Sequence, residues 1–333
     1  MKLIGTCGLP NAGKSTFLKA ISRADLEIGN YPFTTKKPKE VIAFLISENL
    51  QKLHNITKTP KLVPSYLEFL DVPGLIKGSH KGLGLGNEFL SYLRSCDIIL
   101  EIVRNFERLD VPHPENYVDV ERDILIIEEE IINADKRIIE DNIKKLEKAK
   151  KDEEKLVLLK EILDKIEPFK RFEAYNEKLR EFNLLITKKW YLLINGNKKL
   201  DIQKLKNLCF HNIYQLDCLF ELQLEEDEEL KKEIDSSINN FLNKFRKDIG
   251  LIEYLTFTEE ITQSWLIEEN SNILECAKKI HTDFYEKFKG AEVINIQEFQ
   301  NFKNWLEAKN KGFIKQVSKD YIVNEGDIIK III

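Results

Sequence analysis

The sequence predicts an α/β fold: a mostly parallel sheet, interrupted by an inserted antiparallel helical hairpin and followed by a small α+β module. Three observations predict it. Strand and helix patterns alternate up to Val103 and resume near Trp190, as parallel sheets require. Between them lie two apolar seams of helical period. After Gly250 the pattern changes to short strands around a single amphipathic helix.

The strand expectations for the sheet are residues 2–7, 41–45, 66–71, 97–103, 191–194 and 212–216, with helices at 14–22, 87–95, 201–208 and 225–247. In the insertion, Ile124, Ile127, Ile131, Ala134 and Ile138 repeat at spacings of three and four, and the seam shifts to Ile139, Ile143 and Leu146. A second seam follows at Leu156, Leu159, Leu163 and Ile166, so the two segments read as a hairpin with a charged tip. The charge density there reads first as a solvated helix surface; the alternative is an arm that touches a large partner, which Lys144, Lys145, Lys148, Lys150 and Lys151 support although Glu147 and 152–154 dilute the field. The C-terminal module is expected to hold strands at 251–257, 262–267, 291–296, 321–323 and 328–333 and a helix at 273–280, with Gly326-Asp327 as a turn. The resulting division is 1–114 and 189–249 for the sheet domain, 115–188 for the helical arm and 250–333 for the module.

The chain has 333 residues and a formal charge of −5, which excludes a protein that binds nucleic acid by bulk charge and leaves only local RNA contact. No apolar run is long enough to span a bilayer, and no signal peptide is read, so the expectation is a cytoplasmic protein without membrane contact. Five scattered cysteines, none in a C-x-x-C spacing, argue against a disulfide framework and a zinc site.

The chemistry begins at Gly8-Leu-Pro-Asn-Ala-Gly-Lys-Ser-Thr16, which fits G-x-x-x-x-G-K-[ST] between a strand and a helix. Unpaired N–H groups and the helix dipole make such a turn an anion site. Asn11, Ala12, Gly13, Lys14, Ser15 and Thr16 form the phosphate-binding set. Lys14 is the expected catalytic contact to the β- and γ-phosphates, and Ser15 the Mg²⁺ ligand. Thr35, after Asn30-Tyr-Pro-Phe33, can add its hydroxyl to Mg²⁺ and its N–H to the γ-phosphate. Asp71, in Asp71-Val-Pro-Gly74, would hold Mg²⁺ through water, and Gly74 would offer an N–H to the γ-phosphate. These motifs in this order define a P-loop NTPase switch. Leu75 stands where Ras-type enzymes carry a water-orienting Gln, so the attacking water needs another group, for which His80 and His113 are candidates.

GLPNAGKST, NYPFTT, DVPGLIKGSHKGLGLGNEFL and IHTDFYEKFKGAEVI together resemble the Obg-like ATPase (YchF) family over essentially the whole chain. The resemblance implies a ribosome-binding ATPase that is monomeric and Mg²⁺-dependent, binding the large subunit or the whole ribosome. Its C-terminal module would resemble the TGS domain of threonyl-tRNA synthetases. It further implies that Asn195 and Gly196 border the base. In that frame Lys198 takes the position of the guanine-reading Asp, which favours ATP. The family's usual Asn-x-x-Glu-like pattern is not intact there, and a competing frame runs from Asn197 to Asp201. Counting from Phe106, the family's water-positioning histidine maps onto His113, and Asn11 matches the asparagine associated with K⁺ activation. The alternatives are an Obg-type GTPase in ribosome assembly and a non-hydrolysing, nucleotide-dependent adaptor.

Overall fold

The computed structural model describes residues 2–22, 40–72, 86–150, 152–175, 177–225 and 237–333, and the chain forms two compact units. Thr35, Gly74, Leu75 and His80 lie outside the described residues. The first unit is built on a sheet of β1 (Leu3–Cys7), β2 (Glu40–Leu45), β4 (Ser65–Asp71), β5 (Ile98–Arg104), β6 (Lys189–Asn195) and β7 (Ile213–Leu216), in the order β2-β4-β1-β5-β6-β7. β1 pairs in parallel with both β4 and β5, and β6 continues the parallel run to β7. Near-continuous apolar strands such as β5 and β6 suit a sheet covered on both faces.

Helix α1 (Lys14–Ser22) matches its expected span, because Phe17, Leu18, Ala20 and Ile21 bury one stripe. Helix α3 (Gly86–Ser95) leads into β5, whose entry is fixed where Asp97 accepts from Leu3 N at 2.8 Å. The insertion is a long helix, α4 (Val120–Ala149), and a shorter one, α5 (Glu153–Lys165). Asp119 caps α4, its carboxylate accepting from Arg122 N at 3.1 Å. The seam of α4 joins the core of the nucleotide unit with Phe89, Leu93 and Trp190. In α5 the buried residues are Leu159 and Ile162, whereas Leu156 and Leu163 are only partly buried. The chain returns through three short 3₁₀ turns, Glu173–Tyr175, Arg180–Phe182 and Leu185–Thr187, rather than through further helix.

One of the expected helices is shorter than its sequence span. Helix α6 (Ile202–Leu205) stops after about one turn. The span 225–247 contains the last residue of α7 (Cys218–Glu225) and most of α8 (Ser237–Asp248), with 226–236 outside the described residues.

Beneath the sheet lies a cluster of buried charge. Arg171, from the irregular return, donates Nη1 to Glu128 Oε2 of α4 at 2.9 Å, and a second bond joins Nη2 to Oε1. Glu128 also accepts from Phe169 N at 3.3 Å, and the Arg171 guanidinium lies 4.9 Å from the Trp190 ring centroid. Glu101 of β5, paired in register with Cys7, is fully buried, and among the described residues neither carboxyl oxygen has a hydrogen-bond partner. Burial, reinforced by the charge of Glu128, raises its pKa well above the carboxylate range, so the acid is held protonated. In the unfolded chain it ionises near 4.5, so above that pH the folded state binds the extra proton and stability falls as pH rises. Glu101→Met is therefore expected to stabilise the protein by about 1–3 kcal/mol, the range for an unsatisfied buried polar group. The gain should be larger at pH 8 than at pH 5. Urea unfolding at both values checks this, and destabilisation at both would defeat it.

The second unit assembles residues 43–67 with the C-terminal segment. Its sheet orders β11 (Lys315–Val317), β10 (Gly290–Asn295), β12 (Asp327–Ile332), β8 (Leu251–Phe257), β9 (Ile261–Glu268) and β3 (Lys61–Val63). The division along the chain ran 1–114 unbroken, whereas β3 pairs in parallel with β9, and α2 (Glu48–Thr57) buries Leu50 and Leu53 against Leu255, Ile294 and Phe299. Helix α9 (Ile273–Ile280) spans the expected residues and begins with a capping box between Asn272 and Glu275. Four short helices, α10 (Thr282–Glu286), α11 (Ile296–Phe299), α12 (Trp305–Asn310) and the earlier α2, were not read from the sequence. The expected strand at 321–323 is not part of the sheet. Its backbone bonds go instead to the segment before α9, with Ile273 N donating to Tyr321 O at 2.9 Å and Val323 N to Ser271 O at 3.1 Å.

Candidate functional site

The strand order places β1 between β4 and β5, and the loop leaving β1 opens at the carboxyl edge of the sheet, where such folds bind ligands. Gly13 has φ +94°, and a Cβ there would stand 2.0 Å from Asn195 Nδ2, so only glycine fits this close approach. Phe17 N donates to Gly13 O at 2.9 Å, starting α1 immediately beyond. Lys14 is buried beneath the loop, its Nζ donating to Gly8 O and Leu9 O at 3.0 Å each. Burial lowers its pKa from 10.5 to about 8, with Cys7 and Asp71 pulling the other way.

A cavity of about 520 Å³ lies over this loop, lined by Asn11, Gly13, Lys14, Ser15, Thr16 and Asp71 among others. Asp71 reaches it because the β1–β4 register sets it beside Thr6, whose hydroxyl donates to Leu70 O at 3.1 Å. A hydroxyl and a carboxylate at one cavity wall are hard oxygen donors of the kind Mg²⁺ takes. Asn11, in the left-handed region at φ 64°, donates Nδ2 to Pro112 O at 2.9 Å.

Asn195, at the end of β6, is buried and works as a clip. Its Nδ2 donates to Ala12 O at 2.9 Å, and its Oδ1 accepts from Cys218 N at 3.1 Å. Of the two sequence frames, this is the one that touches the phosphate loop. Asp201, of the other frame, caps α6 by accepting from Gln203 N at 3.2 Å. Gly196 sits so near the 105–106 backbone that a Cβ would lie 2.4 Å from Asn105 O. Lys198 Nζ lies 2.5 Å from Glu107 Oε1.

Removing the clip should have a measurable cost. Asn195→Ala leaves one carbonyl and one N–H unpaired in the interior, and is expected to destabilise the protein by about 2–4 kcal/mol. Thermal unfolding with and without nucleotide checks it. An unchanged midpoint in both conditions would contradict the clip.

His113 is buried away from the cavity lining. Its Nδ1 accepts from Glu115 N at 3.1 Å, which leaves Nε2 to donate to Asp123 Oδ2 at 2.8 Å. Both nitrogens are committed, so the ring can order a water only after that exchange is broken. Four wall residues escaped the sequence reading: Phe106, Arg108, Val111 and Leu219. The signal that could have found the first three is the length of the loop after β5, since loops of this size in compact domains are commonly functional, whereas Leu219 comes from α7. Arg104 shapes that loop, donating Nε to Phe106 O and Nη2 to Val111 O, both at 3.0 Å.

Residues 3–159 match a family model described as "50S ribosome-binding GTPase". Residues 251–333 match the YchF GTPase C-terminal model, described as "Protein of unknown function (DUF933)". The chain is 30% identical to the Ribosome-binding ATPase YchF of Mycoplasma genitalium, over 97% of each chain. It is 32% identical to Obg-like ATPase 1 of Oryza sativa subsp. japonica, over 98% of this chain and 90% of the relative. The chain belongs to the YchF/Obg-like ATPase family. The solved Schizosaccharomyces pombe YchF GTPase superposes on this YchF-family chain with a TM-score of 0.82 at 27% identity, covering 99% of this chain and 97% of that one. The family membership thus extends through both units, the insertion and the module.

Proposed function

We propose that this YchF-family chain is a Mg²⁺-dependent ATPase that works as a nucleotide-controlled switch on the ribosome. The observation that carries the reading is the Lys14 ammonium, buried beneath the loop and opening on a cavity shared with Ser15 and Asp71. A partly desolvated cation is poised to bind phosphate oxygens strongly. Asn11, Ala12, Gly13, Lys14, Ser15, Thr16 and Gly74 would hold the phosphates, and Asn195 and Gly196 would border the base. Ser15 and Thr35 would ligate Mg²⁺, with Asp71 acting through water. Mg²⁺, when bound, neutralises charge developing between the β- and γ-phosphates. K⁺ at Asn11 would add a second cation. His113 would enter the water-positioning step only by exchanging its bond to Asp123.

The relatives' names supply the ribosome, and the factor would be monomeric and cytoplasmic. Among the described residues, no helix is long and apolar enough to cross a membrane. The helical arm, read as a coiled coil, and the TGS-like module would present the ribosomal contacts, with any RNA contact confined to local patches. Titration of ATP and GTP followed by turnover assays, with and without ribosomes and K⁺, tests the reading. Tighter ATP binding and ribosome-stimulated ATP turnover are expected. Micromolar GTP binding without measurable ATP binding would sink the ATPase half, and turnover indifferent to ribosomes would sink the switch.

A further inference from the structure

A second cavity, of about 800 Å³, opens at the opposite edge of the nucleotide sheet, where the strands begin. Ile98 and Lys189 start β5 and β6 there and pair in register. The wall continues over Lys2, the C-terminal turn of α3 and the return segment at 177–183. Ligand cavities are ordinarily lined by apolar side chains with a few polar groups. Here the lining is mainly charged: Lys2, Arg94, Arg180, Lys188 and Lys189 face Asp97 and Glu177. Asp135, fully buried behind this wall, pairs with Arg94 at 2.6 Å. Cations still outnumber carboxylates five to three, in a chain whose formal charge is −5.

The floor of this cavity is fixed in place. Arg94, its side chain 14% exposed, donates Nη1 to Asn183 O at 2.8 Å, and Lys188 Nζ donates to Cys96 O. Asn183 turns back in the left-handed region at φ 47°, so the loop after Arg180 is pinned to α3. Burial lowers the Lys188 pKa, and an anion beside it would restore the charged form. Asp97 already accepts from Leu3 N at 2.8 Å. At the rim, the Arg180 and Lys189 side chains have no ion-pair partner among the described residues.

We infer that this cavity binds a small molecule carrying more than one phosphate group, separate from the nucleotide on the phosphate loop. It does so whichever nucleotide the first site takes. Guanidinium forks match phosphate oxygens bidentately, and ammonium groups add point charge. A single phosphate would leave most of the volume and most of the positive charge unmatched, while Phe182 and Ile98 offer an apolar wall to the body of the ligand. The recessed position of Arg94 decides between a ligand that enters and a nucleic-acid backbone lying across the mouth, because only the first reaches it.

The test titrates fructose bisphosphate into the full chain by calorimetry, with ADP and GDP both saturating so that the first cavity is filled. Citrate, of comparable charge, and a short single-stranded RNA are titrated in the same way. The wild type should bind fructose bisphosphate saturably and more tightly than citrate. Its affinity should fall about tenfold or more in Arg180→Glu/Lys189→Glu, and by a smaller factor in Arg180→Gln/Lys189→Gln, which removes the charges without reversing them. ADP affinity should be the same in all three proteins. Thermal unfolding gives a second readout: the bisphosphate should raise the midpoint of the wild type and leave that of the reversed variant where it is. Heat that vanishes once ADP and GDP are present would place the probe on the phosphate loop and overturn the inference. Equal affinity in both variants, or citrate bound as tightly, would overturn it too. RNA binding that needs Arg180 and Lys189, without bisphosphate binding, would make this face an RNA contact instead.

Discussion

Lys14→Met is expected to lower ATP turnover by about 10²–10³-fold, the loss typical of removing one preorganised donor from a transition state. The ammonium is held by Gly8 O and Leu9 O beneath the loop, so its position is set before any phosphate arrives. The same burial makes it titrate within reach of ordinary assays, at about pH 8 in the free protein. Below that pH it is charged and ready. Above it, phosphate binding must take up a proton, so nucleotide affinity should weaken by up to tenfold per pH unit. Calorimetry at pH 8.5 in two buffers of different ionisation enthalpy measures that uptake directly. Buffer-independent heats, or a Lys14→Met enzyme with wild-type turnover, would remove Lys14 from the mechanism.

Arg171→Met should be the most destabilising of the substitutions considered, at about 3–5 kcal/mol. Glu128 is fully buried, and losing its partner strands a carboxylate in the core, left among the described residues with the bond from Phe169 N at 3.3 Å. It would protonate or pull the return segment open. The double substitution Arg171→Met/Glu128→Leu tests the cause, because removing both charges also removes the desolvation cost. It should recover most of the loss, since such swaps in other proteins are often neutral or better. Chemical denaturation of the two variants decides it: equal losses would show that Arg171 acts through its stacking on Trp190 rather than through charge.

The parts legible in the sequence are those governed by local chemistry. Helices α1 and α9 and strand β8 span the expected residues, because one buried stripe and clear end signals fix each of them. Glycine and lysine at fixed spacing similarly announced the phosphate loop. Helix α6 shows the converse: an apolar pattern at 201–208 did not keep the helix going beyond Leu205. At the insertion the seam of α4 was readable, yet Glu128 and Asp135 on the same helix are also buried, since Arg171 and Arg94 come from elsewhere to meet them. Periodicity marks the apolar face but carries no information about distant counter-ions.

The candidate site divides in the same way. Lys14, Ser15 and Asp71 line one cavity, as motif spacing alone implied. That Asn195 grips Ala12 depends on a strand far along the chain arriving beside the loop, and the choice between the Asn195 and Asp201 frames could not be made from spacing. For His113 the sequence offered a histidine in a polar loop, while packing brought Asp123 and the Glu115 N–H to its two nitrogens.

By itself, then, the sequence determined the parallel α/β unit, the phosphate grip and the family, because each rests on short stretches whose backbone geometry and hydrogen-bonding demands are local. Only the tertiary structure decided that 43–67 builds into the C-terminal sheet, that Glu128 and Arg171 share a buried bond, and that Lys198 meets Glu107. Those are pairings between residues remote in sequence, chosen by which surfaces the packed chain brings within a few ångströms of one another.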